Sequence, residues 1–126
     1  MIRISKLALC SVIVGALAVS VSVSQAQAQD MAKRGKKLFV DKGCNTCHTI
    51  GKGKLAGPDL AGVTQRRTTD WLKRWLKDPT ALIGSDSIAD AMVVEYASVK
   101  MPNMKLGDSD IAALLAYIGG GGKMKM

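Results

Sequence analysis

The sequence is short of aromatic residues and of histidine. One Phe, two Trp and two Tyr are spread through 126 residues, and His48 is the only histidine. A chain of this length allows one domain, and rings are the bulkiest core fillers. Thirteen glycines add no side-chain volume, so a large apolar cofactor would help to fill the interior. A lone histidine excludes any site built from two histidines of one chain. Acids are scarce too, 10 against 18 basic residues, for a net charge of +8. No period-two alternation and no internal repeat is present, which excludes sheet and solenoid architectures and leaves an all-α fold with long loops.

What is there begins with a leader. Met1 to Lys6 carries Arg3 and Lys6, Leu7 to Val23 is an uncharged apolar run, and Ala26-Gln27-Ala28 supplies the small-x-small pattern of a signal-peptidase site. The expectation is a secretory signal over residues 1–28, a folded domain over 29–119 and a glycine-rich flexible tail over 120–126. The apolar run would nearly span a bilayer, but the cleavage site at its end favours removal over a retained anchor. Cys10 follows the bulky Leu9 after a short apolar approach, an unsuitable lipidation site, and leaves with the leader. The mature chain is then not membrane-spanning, keeps a net charge of +6 and two cysteines, Cys44 and Cys47. Export puts it in an oxidising compartment, the periplasm, and excludes nucleic acid as a partner.

Residues 30–43 predict a helix closed by Gly43, and residues 44–68 a glycine-containing loop. Asp70 to Lys77 predicts an amphipathic helix with Trp71, Leu72, Trp75 and Leu76 on one face and Lys73, Arg74 and Lys77 opposite. Asp78-Pro79 stops it. A further helix is expected over 86–97, facing inward with Ile88, Ala91, Met92 and Tyr96. Residues 99–107 form a loop. Asp108 to Ile118 carries the i, i+3, i+4, i+7 stripe of Ile111, Leu114, Leu115 and Ile118, with acids in its first turn.

The decisive feature is Cys44-Asn45-Thr46-Cys47-His48, the spacing of a c-type haem attachment site. Positions i, i+3 and i+4 of a helical turn share a face. Two thiols there can form thioethers with the two vinyl groups on one haem edge, and the adjacent imidazole can reach the iron. A thioredoxin-like redox pair expects a βαβ setting that is absent. A structural zinc site needs four ligands, one more than the mature chain's two Cys and one His. The other face of the iron takes methionine, another weak ligand, or nothing. Met31 and Met92 fall in predicted helices and Met124 and Met126 in the tail, leaving Met101 and Met104 as the loop methionines.

Gly35-x-x-Leu38-Phe39, Cys44-x-x-Cys47-His48, Gly57-Pro58-Asp59-Leu60 and Met101-Pro102 before a C-terminal helix together resemble the class I cytochromes c, from about Met31 to Gly119. That resemblance implies a cytochrome c fold of three to five short helices wrapped around one covalently bound haem c. It implies Cys44 and Cys47 as the thioether positions and His48 and Met101 as axial iron ligands, with Met104 the rival of Met101. Pro58 matches the loop proline where a backbone carbonyl accepts the His48 Nδ1–H, and Gly35 and Phe39 match the positions that cross the last helix at Leu114 and Tyr117. The Trp-Leu-x-x-Trp-Leu segment recurs in bacterial members. There Arg66, Arg67 or a Trp N–H could hold a haem propionate, while Trp71 and Trp75 read first as packing for the haem edge. Residues 79–98 depart from the short mitochondrial form.

The expected function is soluble electron transfer, shuttling single electrons between periplasmic redox partners or serving as the haem subunit of an oxidoreductase complex. No nucleophile–base or acid pair accompanies the motif, so neither catalysis nor a small-molecule substrate is expected. A haem-based gas sensor or small peroxidase is the alternative if the sixth iron position is open. Cytochrome c′-type sensors carry the motif near the C-terminus, whereas here it begins at position 44. Lys42, Lys52, Lys54, Lys100 and Lys105 flank the attachment site and Met101, which points to redox partners with acidic docking surfaces.

Overall fold

The computed structural model describes residues 7–123, with side-chain surroundings from residue 22 onward. Seven helices follow in order: α1 (Leu7–Asp41), α2 (Cys44–Cys47), α3 (Val63–Arg66), α4 (Thr69–Lys77), α5 (Pro79–Leu82), α6 (Ser87–Glu95) and α7 (Asp108–Gly119). Three of them are single turns of four residues, so four longer helices carry the architecture. No strand occurs among the described residues.

α1 runs through the expected cleavage site without a break, because nothing between Leu7 and Asp41 is proline. Residues 22–30 are exposed throughout, and packing begins near Met31. Residues 1–6 of the expected leader, and Met124 and Met126 of the tail, lie outside the described residues. Among the described residues, no helix is long and apolar enough to cross a membrane.

The frame of the molecule is the crossing of α1 and α7. Gly35 permits it: a Cβ there would lie 2.0 Å from the Ala113 carbonyl oxygen and 2.8 Å from Tyr117 Cβ. One turn on, Phe39 meets the Tyr117 ring edge-on at 5.7 Å between centroids, a favoured aromatic geometry. Phe39, Leu106, Ile111, Leu114 and Ile118 form the buried cluster at this crossing. Arg34 pairs with Asp110 at its edge, an exposed contact worth at most about 1 kcal/mol.

A second cluster joins Trp71, Leu72, Leu82 and Ala89. α4 contributes the face read from its periodicity, capped by the Thr68 hydroxyl, which accepts the Trp71 N–H at 3.2 Å. Asp78-Pro79 ends α4 as expected, but it also opens α5. The Asp78 carboxylate accepts the Thr80 and Ala81 N–H groups, and Pro79 occupies the first helical position, where a missing N–H costs nothing. α6 turns inward with Ile88, Ala89 and Met92, and Ala91 is exposed. The inward small residue is therefore Ala89, two positions before the expected Ala91. Asp86 sets that rotation by accepting the Ile88 and Ala89 N–H groups and the Trp71 indole N–H together.

Candidate functional site

A cavity of about 890 Å³ opens between the two clusters, near the upper end of the range of small-molecule sites. Its wall draws Phe39 and Leu114 from the first cluster and Trp71 and Leu72 from the second. Cys44, Cys47, His48, Met101 and Met104 all line it. Residues far apart in sequence, from Phe39 to Ile118, thus converge on one space, and each ligand candidate read from the sequence lies on its wall.

The attachment motif is positioned locally. Gly43 takes a left-handed φ of 71°, ending α1 and redirecting the chain into the α2 turn. Cys44 and Cys47 occupy the first and last positions of α2, both as free, half-buried thiols. His48 leaves the helix in an extended conformation, while its N–H still closes the turn onto the Cys44 carbonyl at 2.9 Å. Burial raises the Cys44 thiol above its ordinary pKa, and the neighbouring Cys47 adds to the effect.

The imidazole is held by two neighbours. Its Nδ1 lies 2.9 Å from the Pro58 carbonyl oxygen. A carbonyl only accepts, so Nδ1 carries the proton, and in the neutral ring the lone pair lies on Nε2. The hydrogen bond implied by the resemblance is therefore present. Gly57 packs close against the ring, where a Cβ would come within 2.5 Å of His48 Cε1. The loop behind is organised by Asp59, whose carboxylate accepts the N–H groups of Gly51, Gly53 and Ala61 at 2.7–2.8 Å. Those three donors lower its pKa to about 2, so the carboxylate stays ionised at neutral pH. This hub was not read from the sequence, although an aspartate between glycine-rich segments is the usual signal for such a turn.

The two loop methionines differ in setting. Met101 Sδ accepts the Trp75 indole N–H at 3.1 Å. Met104 packs, partly buried, on the Phe39–Leu106–Ile111 cluster. Trp71 donates its own N–H to Asp86 at 3.1 Å, so neither tryptophan N–H is left for a propionate. Arg66 donates to the carbonyls of Ala61 and Asp59. Arg67 lies over the Trp71 ring at 5.8 Å, and both arginines reach the cavity wall. Among the flanking lysines, Lys42, Lys54 and Lys100 line the cavity, whereas Lys52 and Lys105 do not.

Residues 32–121 match the Cytochrome c family. The chain belongs to the cytochrome c family. This cytochrome is 34% identical over 99 residues to photosystem II extrinsic protein V of Cyanidium caldarium, a match covering 72% of this chain and 63% of that protein. It is 31% identical over 107 residues to cytochrome c oxidase subunit 2 of Bacillus subtilis (strain 168), covering 72% of this chain and 26% of that one. It thus spans less than two thirds of the length of these relatives. Among solved structures, cytochrome c from Rhodothermus marinus superposes with a TM-score of 0.68 at 27% identity, over 73% of this chain and 77% of that one. Membership makes this a class I c-type cytochrome, whose cofactor is one covalently bound haem c. The cavity fits that group: it is large, mostly apolar, carries both thiols of the attachment motif, and presents an imidazole whose Nε2 is free.

Proposed function

We propose that this cytochrome shuttles single electrons between periplasmic redox partners, or does so as the haem subunit of a larger oxidoreductase, with His48 and Met101 as the iron ligands. When bound, haem c supplies an iron that exchanges one electron. Cys44 and Cys47 tether it through thioethers, and His48 offers Nε2. The Pro58 carbonyl orients that ring and raises its basicity. The single observation that carries the reading is the meeting of His48, both cysteines and Met101 on one apolar cavity wall. With His48 and Met101 both holding the iron, the site would leave no open position for a substrate and would suit electron exchange, which argues against an enzyme. Methionine ligation and an apolar shell both favour the ferrous form, which carries less charge, and raise the potential.

Met101 is preferred to Met104 because Met104 is engaged in the core, whereas Met101 comes from the loop over the cavity with its sulfur held by a single donor. Cleavage after Ala28 is supported by the exposure of residues 22–30, which add nothing to the core. The name of the photosystem relative, an extrinsic protein, fits an exported chain.

The test is a visible spectrum of the mature holoprotein, ferric and then ferrous. Sharp reduced bands, a weak red sulfur-to-iron band in the ferric form and no response to carbon monoxide are expected. A missing red band with a carbon monoxide shift would favour the sensor or peroxidase alternative. For partners, five cations on the cavity wall (Lys42, Lys54, Arg66, Arg67 and Lys100) outnumber its two acids, Asp59 and Glu95. This points to acidic docking surfaces. Raising ionic strength from about 10 mM to about 150 mM shortens the screening length from about 30 Å to about 8 Å, and should slow electron exchange with an acidic partner at least severalfold. Rates indifferent to salt would sink the docking proposal.

A further inference from the structure

We propose that residues 97–105 form a sprung strap over the cavity, held shut by the contact of Lys54 with Tyr96, and that this contact sets how readily a small ligand replaces Met101. This rests on the reading of Met101 as an iron ligand. The observation behind it is a set of unusual backbone angles. Ala97, Ser98 and Lys105 have φ of 53°, 64° and 54°, and among the described residues they are the only non-glycine positions in the left-handed region. They bracket residues 99–104, the segment that brings both loop methionines to the cavity wall. Left-handed backbone is unfavourable for these side chains, and such strain persists only where surrounding contacts hold it.

The two ends of the strap are held differently. At the far end the Asn103 side chain accepts the Lys105 N–H at 2.9 Å. The next residue, Leu106, is 4% exposed and belongs to the first core cluster. At the near end the Ser98 N–H returns to the Val93 carbonyl at 2.8 Å and the Val99 N–H to the Tyr96 carbonyl at 3.0 Å. Residues 97–100 are all exposed, so no core packing opposes the strain there. Tyr96 makes the tie across the opening: its ring centroid lies 5.3 Å from Lys54 Nζ, within cation–π range. Lys54 belongs to the loop that carries Gly57 and Pro58 against His48, and both Lys54 and Tyr96 line the cavity. The contact therefore joins the histidine-side loop to the methionine-bearing segment.

Clasp and strain act in opposite directions with similar strength. An exposed cation–π contact shifts an equilibrium roughly two- to fivefold. Alanine in place of glycine at a left-handed position shifts it about fivefold the other way. When the strap lifts, Ala97 and Ser98 relax to ordinary backbone angles and Met101 moves away with them. A ligand that binds only the open form has its affinity reduced in proportion to the open fraction. Weakening the clasp should therefore strengthen the binding of such a ligand, and relieving the strain should weaken it.

The experiment titrates the ferric holoprotein with neutral imidazole, and loss of the red band reads displacement of Met101. Lys54→Gln should raise the apparent affinity roughly two- to fivefold, and Lys54→Arg, which keeps a cation for the ring, should leave it at the wild-type value. Ala97→Gly should lower it about fivefold. Tyr96→Leu should resemble Lys54→Gln, and combining the two should add nothing further. Lys54 and Ala97 are both exposed, so their variants carry the test if Tyr96→Leu does not fold. Unchanged affinity in Lys54→Gln and Ala97→Gly would overturn the proposal, as would an effect of Lys54→Gln that is equally large without the Tyr96 ring. A wild-type ferric protein without any red band would instead overturn the Met101 reading beneath it.

Discussion

Gly35→Ala should destabilise the fold by about 3 kcal/mol or more, the upper end of overpacking costs. In an exposed helix the same change would stabilise by about 1 kcal/mol, because alanine is the better helix former. The sign is therefore diagnostic. At Gly35 the new methyl would sit 2.0 Å from a backbone oxygen of Ala113, and backbone in a packed helix cannot step aside as a side-chain tip can. Either α1 and α7 separate, opening the Phe39–Leu114–Ile118 cluster, or the helices bend. For a domain of this size each kcal/mol lowers Tm by about 4–8 °C, so thermal unfolding followed by circular dichroism should show a fall of roughly 12–24 °C. An unchanged or higher Tm would mean that the helices do not approach this closely.

The second large effect is at the proposed sixth ligand. Met101→Ala should abolish the red ferric band, lower the potential by an amount on the order of tenths of a volt, since axial ligands span about 0.8 V, and let carbon monoxide bind the ferrous protein. Met104→Ala should leave band and potential in place and cost about 2 kcal/mol, the low end for a core methionine that is only partly buried. Spectra and denaturant titrations of both variants separate loss of a ligand from loss of packing. The reverse pattern would move the ligand to Met104.

Much of this was legible because it is local. The face of α4 and the stripe of α7 repeat every three or four residues, and such periodicity commits a helix to one buried side wherever it packs. The five residues from Cys44 to His48 contain the chemistry of attachment in their own spacing, since one turn of helix brings both thiols to one wall. A single histidine excludes by itself a site built from two histidines of one chain. The close crossing at Gly35 and the carbonyl that receives His48 came from resemblance to a family, and geometry then supplied their atoms: Ala113 O for the first, Pro58 O for the second.

What only the tertiary structure decided are the partners of polar atoms far apart in the chain. Trp71 and Trp75 sit four residues apart on one helical face and read alike as packing. Yet one N–H ends on Asp86 and the other on Met101. The hydrophobic effect that periodicity reports has no direction, whereas a hydrogen bond needs a particular atom at a particular distance and angle. The inward turn of α6 on Ala89 rather than Ala91, and the hub at Asp59, have the same origin. Which face of a short helix turns inward, and which amides a carboxylate gathers, depend on caps and loops that close only when α4, α6 and the glycine-rich loop are packed together.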